Sequence, residues 1–309
     1  MKKERRQSAG STRQVSLKSP RYAWPTIALL CGVLGLWTLS VIAACTGYIS
    51  LAAAGTLNAL LAYVSFTPMH DAAHRAVARP KWINAVVGRL AGIPLTAPFV
   101  AFRIMHLAHH RDTNDQEHDP DLWSGLGPWY VLPLRWLSQD LHYYVRFVRT
   151  WDRQVSGERI EVVSMVAAKV VIVAALCWMG YGVEVLCLWL IPARIGIAML
   201  AFAFDYLPHR PHVIRSRDDR FRATHIIEEK WLTIPLLSHN YHLIHHLYPA
   251  VPFYRYGQVW EDRKEKLMAK GARVLPLFAA SPDDGSQELE ADTPVETLVY
   301  SSAVHEHTA

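Results

Sequence analysis

Charge and paired thiols are scarce in this chain of 309 residues. Asp, Glu, Lys and Arg make up only 19% of it against 51% apolar residues, a balance that excludes a disordered or fibrous chain and makes a membrane protein the first expectation. The 4 cysteines, Cys31, Cys45, Cys177 and Cys187, lie in apolar stretches without C-x-x-C spacing. They read as small buried hydrophobes, which excludes a disulfide framework and an iron–sulfur centre. No G-x-G-x-x-G nucleotide fingerprint occurs, so the chain encodes no reductase of its own. A formal net charge of +5 would suit nucleic acid, but residues 1–22 hold seven Lys or Arg and one Glu, and the rest of the chain sums to −1. No distributed basic surface remains for phosphates, and no nucleic-acid partner is expected.

What is abundant is uncharged apolar sequence. From Trp24 to Met69 there is no charged residue, about twice the ~20 residues that cross a bilayer core as a helix. Two spans fit, turning near Cys45 to Tyr48. The stretch is too long for a signal-peptide core and reads as a retained anchor. The basic run before it places the N-terminus in the cytoplasm. A second pair, Ile160 to Met179 and Val183 to Leu207, turns at Gly180-Tyr181-Gly182. The expected fold class is therefore an all-α multi-pass membrane protein with four transmembrane helices, carrying a histidine-rich di-metal cap on the cytoplasmic face, in a bacterial cell membrane. Between the pairs, Trp82 to Phe102 is interrupted by Gly88, Arg89, Gly92, Pro94 and Pro98, and reads as interfacial or re-entrant. Lys169 and Arg194 fall inside spans, where Lys169 is expected to snorkel and Arg194 to pair within the bundle or meet substrate. The organisation reads as a basic segment 1–22, a membrane domain 23–270 and an acidic, disordered tail 271–309.

Half of the 16 histidines fall in three clusters: His70-Asp71-Ala-Ala-His74, His106-Leu-Ala-His109-His110 and His242-Leu-Ile-His245-His246. Offsets of three and four residues bring side chains to one helix face. Imidazole suits Fe, Zn, Cu and Ni, and eight rings exceed what one ion coordinates, which favours two metal ions. His209, at the end of the fourth span, is a ninth ligand candidate. Asp205, one turn earlier, is either a ligand or an acceptor that orients an imidazole. Asn240, with Asp71, Asp119 and Asp121, is expected to hydrogen-bond the ring nitrogens that face away from metal, while for Asp119 and Asp121 a turn role beside Pro120 is an equal alternative. His239 extends the third cluster or lies in a solvated loop. His118, His142, His212 and His225 lack the spacing and read as structural or surface residues, with His305 and His307 in the tail. Tyr241, Tyr248, Phe253, Tyr254 and Tyr256 are expected at the headgroup level.

These clusters resemble the histidine boxes of the membrane fatty-acid desaturase and hydroxylase superfamily. Within it, Phe204-Asp-Tyr-Leu-Pro-His-Arg-Pro211 and Asn240-Tyr-His-Leu-Ile-His-His-Leu-Tyr-Pro249, followed by Val251-Pro-Phe-Tyr254, resemble the cyanobacterial-type β-carotene hydroxylases. The resemblance implies a non-haem di-iron centre, O2 as co-substrate and electrons from an external, ferredoxin-type donor. It implies His70, His74, His106, His109, His110, His209, His242, His245 and His246 as ligands. Asp205 and Asn240, singled out above by their positions, are the candidates to support catalysis.

The leading expectation is a monooxygenase that hydroxylates a carotenoid ring, taking its apolar substrate from the lipid bilayer. The alternative is a fatty-acyl desaturase or hydroxylase using the same metal chemistry. A metal transporter would need ionisable groups along a path at the bilayer midplane. For an acidic ferredoxin, Arg103, Arg111, Arg215, Arg217, Arg220 and Arg222 form the candidate docking surface.

Overall fold

The computed structural model describes residues 14–277. Four helices are long and apolar enough to cross a membrane: α1 (Trp24–Cys45), α2 (Leu51–Ala73), α7 (Ser156–Trp178) and α8 (Gly182–His209). Between them lie α3 (Lys81–Ala91), α4 (Phe99–Asp112), α5 (Leu132–Leu137) and α6 (Gln139–Arg149), and after them α9 (His242–Leu247) and α10 (Tyr256–Met268). The outer faces of α1 and α7 are apolar yet exposed, for example Leu39, Val171 and Trp178. That pattern belongs to a surface whose solvent is lipid. Cys31, Cys45 and Cys177 lie on it, free and exposed rather than buried as expected.

The bundle closes where side chains are small or polar. A Cβ on Gly196 of α8 would lie 2.9 Å from Ala62 Cβ of α2, so the two backbones approach as only glycine and alanine permit. Pro192 has no N–H to give the Leu188 carbonyl one turn earlier. Asn58 of α2 fills the place, donating to Leu188 O at 2.8 Å while accepting from Ser40 of α1.

The segment Trp82 to Phe102 forms a helix–turn–helix hairpin whose turn is held between three of the long apolar helices. α3 descends beside α2, residues 92–98 turn, and α4 climbs back with His106, His109 and His110. Carbonyls at such a turn have no water to bond. Donors come from three neighbouring spans: Ser65 Oγ to Ala91 O at 3.1 Å, Trp189 Nε1 to Ile93 O at 2.8 Å, and Lys169 Nζ to Thr96 O at 3.4 Å. Lys169 thus caps the turn instead of snorkelling, a use that hydropathy cannot reveal. Arg194 pairs with Asp140 of α6 and donates to Leu137 O at 2.8 Å. Its role is structural.

The domain limits also move. Val15 and Leu17, inside the basic segment, pack against the C-terminal core of Leu243, Ile244, Val259 and Trp260. The start of the expected tail is folded, because Arg273–Leu275 (β2) pairs in parallel with His225–Ile227 (β1). The remainder of that tail, with His305 and His307, lies outside the described residues.

The three donors to the turn generate a stability prediction. Removing one leaves a carbonyl unpaired at membrane depth, which costs about 1–3 kcal/mol. Trp189→Phe should lower thermal stability in nanodiscs and loosen α4, whereas Trp178→Phe on the lipid face should leave both unchanged. Equal melting of the two variants would show that the indole N–H is not needed.

Candidate metal centre

The histidines converge where α2, α4, α8 and α9 meet. His70, His74, His106, His110 and His245 form one group, and His109, His209, His242 and His246 form another. Within each group the ligand nitrogens all lie within 4.8 Å of one another, and some Nε2 atoms approach much closer. His70 and His245 are 3.0 Å apart, His74 and His106 2.7 Å, His110 and His245 2.7 Å, and His209 and His242 3.0 Å. Metal–nitrogen bonds of about 2.0–2.1 Å put opposed ligands roughly 4 Å apart, so each group spans what one ion spans. The donors in these two groups are all imidazole, which suits iron and its neighbours in the first transition row.

Helix geometry explains the division. In His106-Leu-Ala-His109-His110, His106 and His110 stand one turn apart and serve the five-ring group, while His109 is rotated into the other. In His242-Leu-Ile-His245-His246 the outer pair serves the four-ring group and His245 crosses to the five-ring one. The H-x-x-H-H spacing is therefore a two-site device.

Burial keeps most of these rings neutral and ready to ligate. His74 is pushed down to about 3 by burial. His106, His110, His242, His245 and His246 fall well below the ordinary histidine value for the same reason, with further repulsion from neighbouring rings. His109 differs. Burial would lower it too, but Asp119 and Asp121 lift it to about 9. Its Nδ1 donates to Asp119 at 2.8 Å, with Asp121 at 3.5 Å, which turns Nε2 toward the four-ring group. His245 has its Nδ1 beside the Tyr256 hydroxyl at 3.0 Å.

Several expectations fail here. Asp71 accepts from Thr26 Oγ1 at 2.8 Å and from the Phe253 backbone N–H at 3.2 Å; it ties the start of α1 and the chain after the third cluster to α2 rather than orienting a ring. Asn240 is buried with both amide atoms unpaired. Tyr256 is fully buried on His245, not at a headgroup level, and no spacing rule marks it. His239 is neither solvated nor in a group: it is 1% exposed, with its ring centroid 4.9 Å from that of His70 and 4.4 Å from that of Phe204. His225 is likewise buried. His142 stacks on Trp123 at 4.7 Å, and His118 pairs with Asp115 at 2.8 Å. Much of the basic surface is engaged internally, Arg111 with Asp112, Arg215 with Asp218 and Arg217 with Asp115.

Asp205 touches none of the rings. It lines an apolar cavity with Phe66 and Met69 of α2, Phe102 of α4, Tyr143 of α6, and Ile197 and Ala201 of α8. Phe66 and Phe102 each stand one turn before a histidine, with ring centroids 5.4 Å from His70 and 5.1 Å from His106. Through these two rings the cavity wall abuts the five-ring group.

The Fatty acid desaturase family matches residues 46–277. The chain belongs to that family. Among its relatives, an sn-1 oleoyl-lipid 12-desaturase of Picosynechococcus is 27% identical over 277 residues, spanning 80% of this chain and 78% of the relative. One of the same name from Synechocystis is 25% identical over 272 residues, spanning 77% and 74%. The sn-2 acyl-lipid omega-3 desaturase (ferredoxin) of Helianthus annuus is 27% identical over 231 residues, spanning 64% of this chain and 52% of the relative. A desaturase-family chain is an oxidoreductase, and its four apolar spans make this one a multi-pass membrane protein.

The shifted His109 gives a prediction for metal uptake. A ligating Nε2 must lose its proton, and at pH 7 only His109, lifted to about 9, holds one among the rings described above as neutral or raised. Loading metal at pH 7 should release about one proton per chain, read by calorimetry in buffers of different ionisation heat. Release should vanish above about pH 10 and fall in Asp119→Asn. Release of several protons at pH 7 would contradict the neutral state of the other rings.

Proposed function

We propose that the protein is an O2-dependent di-iron desaturase that introduces a double bond into an acyl chain of a membrane lipid, drawing electrons from a ferredoxin-type donor at the cytoplasmic face. The observation that carries this reading is the pair of all-imidazole groups beside an apolar cavity in a bundle of four helices long and apolar enough to cross a membrane. The named relatives act on acyl lipids, which moves the reading from the carotenoid ring to the acyl-chain alternative.

Bound iron supplies the reductive activation of O2; overall, two C–H hydrogens, two electrons, two protons and O2 give one C=C bond and two waters. The chain's own residues do the rest. Phe66, Met69, Phe102 and Ile197 hold a long apolar chain and exclude water from it. Asp119 and Tyr256 fix the orientation of His109 and His245, and His209 completes the four-ring set. Neutral imidazoles hold no proton to be displaced when metal binds, so the centre loads at the cost of the His109 proton alone.

Ring hydroxylation of a carotenoid is the second reading, supported by the resemblance of Phe204 to Pro211 and Asn240 to Tyr254. Expression in a bacterium that makes both oleoyl lipids and β-carotene separates the two. The expected result is a new double bond in the acyl chains, dependent on O2 and on a reduced ferredoxin, with pigments unchanged. Hydroxylated pigment beside unchanged acyl chains would replace the first reading with the second. Two iron ions per chain are expected; His209→Ala should lower the content toward one and abolish turnover, and His142→Ala should do neither. Full iron in the His209 variant would take that ring off the ion.

A further inference from the structure

Three helices send a wall residue into the cavity one turn before a histidine. On α2 it is Phe66 before His70, and on α4 it is Phe102 before His106, but on α8 it is Asp205 before His209. A carboxyl thus stands where two aromatic rings set the pattern. The acids around it are partnered: Asp140 by Arg194, Asp121 by the Tyr143 hydroxyl, and Asp119 by His109. Asp205 has no hydrogen-bond or ion-pair partner among the described residues. A plain hydrocarbon laid against it would desolvate the group and give nothing in return, so an unpaired acid at membrane depth calls for a ligand that donates.

We infer that Asp205 accepts a hydrogen bond from a hydroxyl carried by the substrate chain, so that between two otherwise equal long apolar substrates the enzyme favours the one already oxygenated near the site of oxidation while still accepting the plain one. This rests on the oxygenase reading above and narrows its substrate class. Asp205 lies four residues before His209 across a π-helical turn (Ala201–Tyr206) and a 3-10 turn (Leu207–His209), at most about 8 Å along the axis even at the 2.0 Å rise of a 3-10 turn. The hydroxyl therefore sits within a few bonds of the reacting carbon. A lipid headgroup, separated from a mid-chain bond by most of an acyl arm, does not reach this position. The same chemistry fits a hydroxyl on an acyl chain or on a carotenoid ring.

The test uses the full chain in nanodiscs, with and without iron, and two pairs of probes: a phospholipid with a mid-chain hydroxyl and its deoxy counterpart, and a monohydroxylated carotene with β-carotene. Binding to the iron-free protein is read by tryptophan quenching. The wild type should bind the hydroxylated member of one pair about 10-fold more tightly, the weight of one hydrogen bond to a carboxyl, and the pair that shows it identifies the source. Asp205→Leu should erase the preference by weakening only the hydroxylated member, and Asp205→Asn, which keeps the size and an acceptor oxygen, should retain part of it. Equal wild-type affinities in both pairs, or a preference undiminished in both variants, would overturn the assignment. A preference that stands while the iron-loaded protein oxidises neither pair would remove the oxygenase reading and leave the hydroxyl site.

Discussion

Nine imidazoles gathered in two buried groups are compatible with folding only if almost all of them are uncharged, and the rest of the structure follows from that constraint. Charged rings this close would repel one another in a medium that cannot screen them. Burial removes the charge and leaves a lone pair on each ring, which is what a metal ion needs. The one departure, His109, carries its own counter-charge in Asp119 and Asp121. That acidic pair is held in turn by the loop between α4 and α5, where Asp119 accepts from the Asn114 and Asp121 backbone N–H groups.

The centre also requires α4 to begin inside the membrane and end in the cap. A helix entering from the far side would place its histidines correctly but would need another crossing, so the chain uses a re-entrant hairpin. Its cost is a turn with orphan carbonyls. Ser65, Trp189 and Lys169 are the answer, one from each of α2, α8 and α7. Three spans therefore lock the depth of α4, and with it the height of His106 and His110 against His70 and His74. Precision in the cap is set by hydrogen bonds made well below it.

How far the sequence is legible depends on whether a feature is periodic. The four spans, the re-entrant segment and all nine histidines are read from runs and from offsets of three and four, and the structure groups those nine rings as five and four. What escapes is held by contacts between segments distant along the chain. Tyr256 reaches His245 only because α10 folds back on α9. Asp71 looks like part of the first cluster, yet its partners come from Thr26 and Phe253. Asp205 is correctly singled out by its place before His209, but its side chain faces the cavity, which a helical repeat alone cannot decide. His239 is indistinguishable from a loop histidine until the left-handed Leu237 and Ser238 turn the chain and bury it. The substrate class escapes for another reason: both carotenoids and acyl lipids satisfy the same hydropathy.

The position of the cavity follows from the metal ligands themselves. On an α-helix a residue and the one four places on share a face, so Phe66 and Phe102, each one turn before a ligand candidate, stand beside the rings of His70 and His106. Phe66, Phe102 and Asp205 occupy that place on three helices, and Ala201 and Ile197 extend the stripe further down α8. Together they set the wall of one cavity, which abuts the five-ring group through Phe66 and Phe102. The chemistry of these wall positions, two aromatic rings and one carboxyl, therefore decides what can lie against the rings.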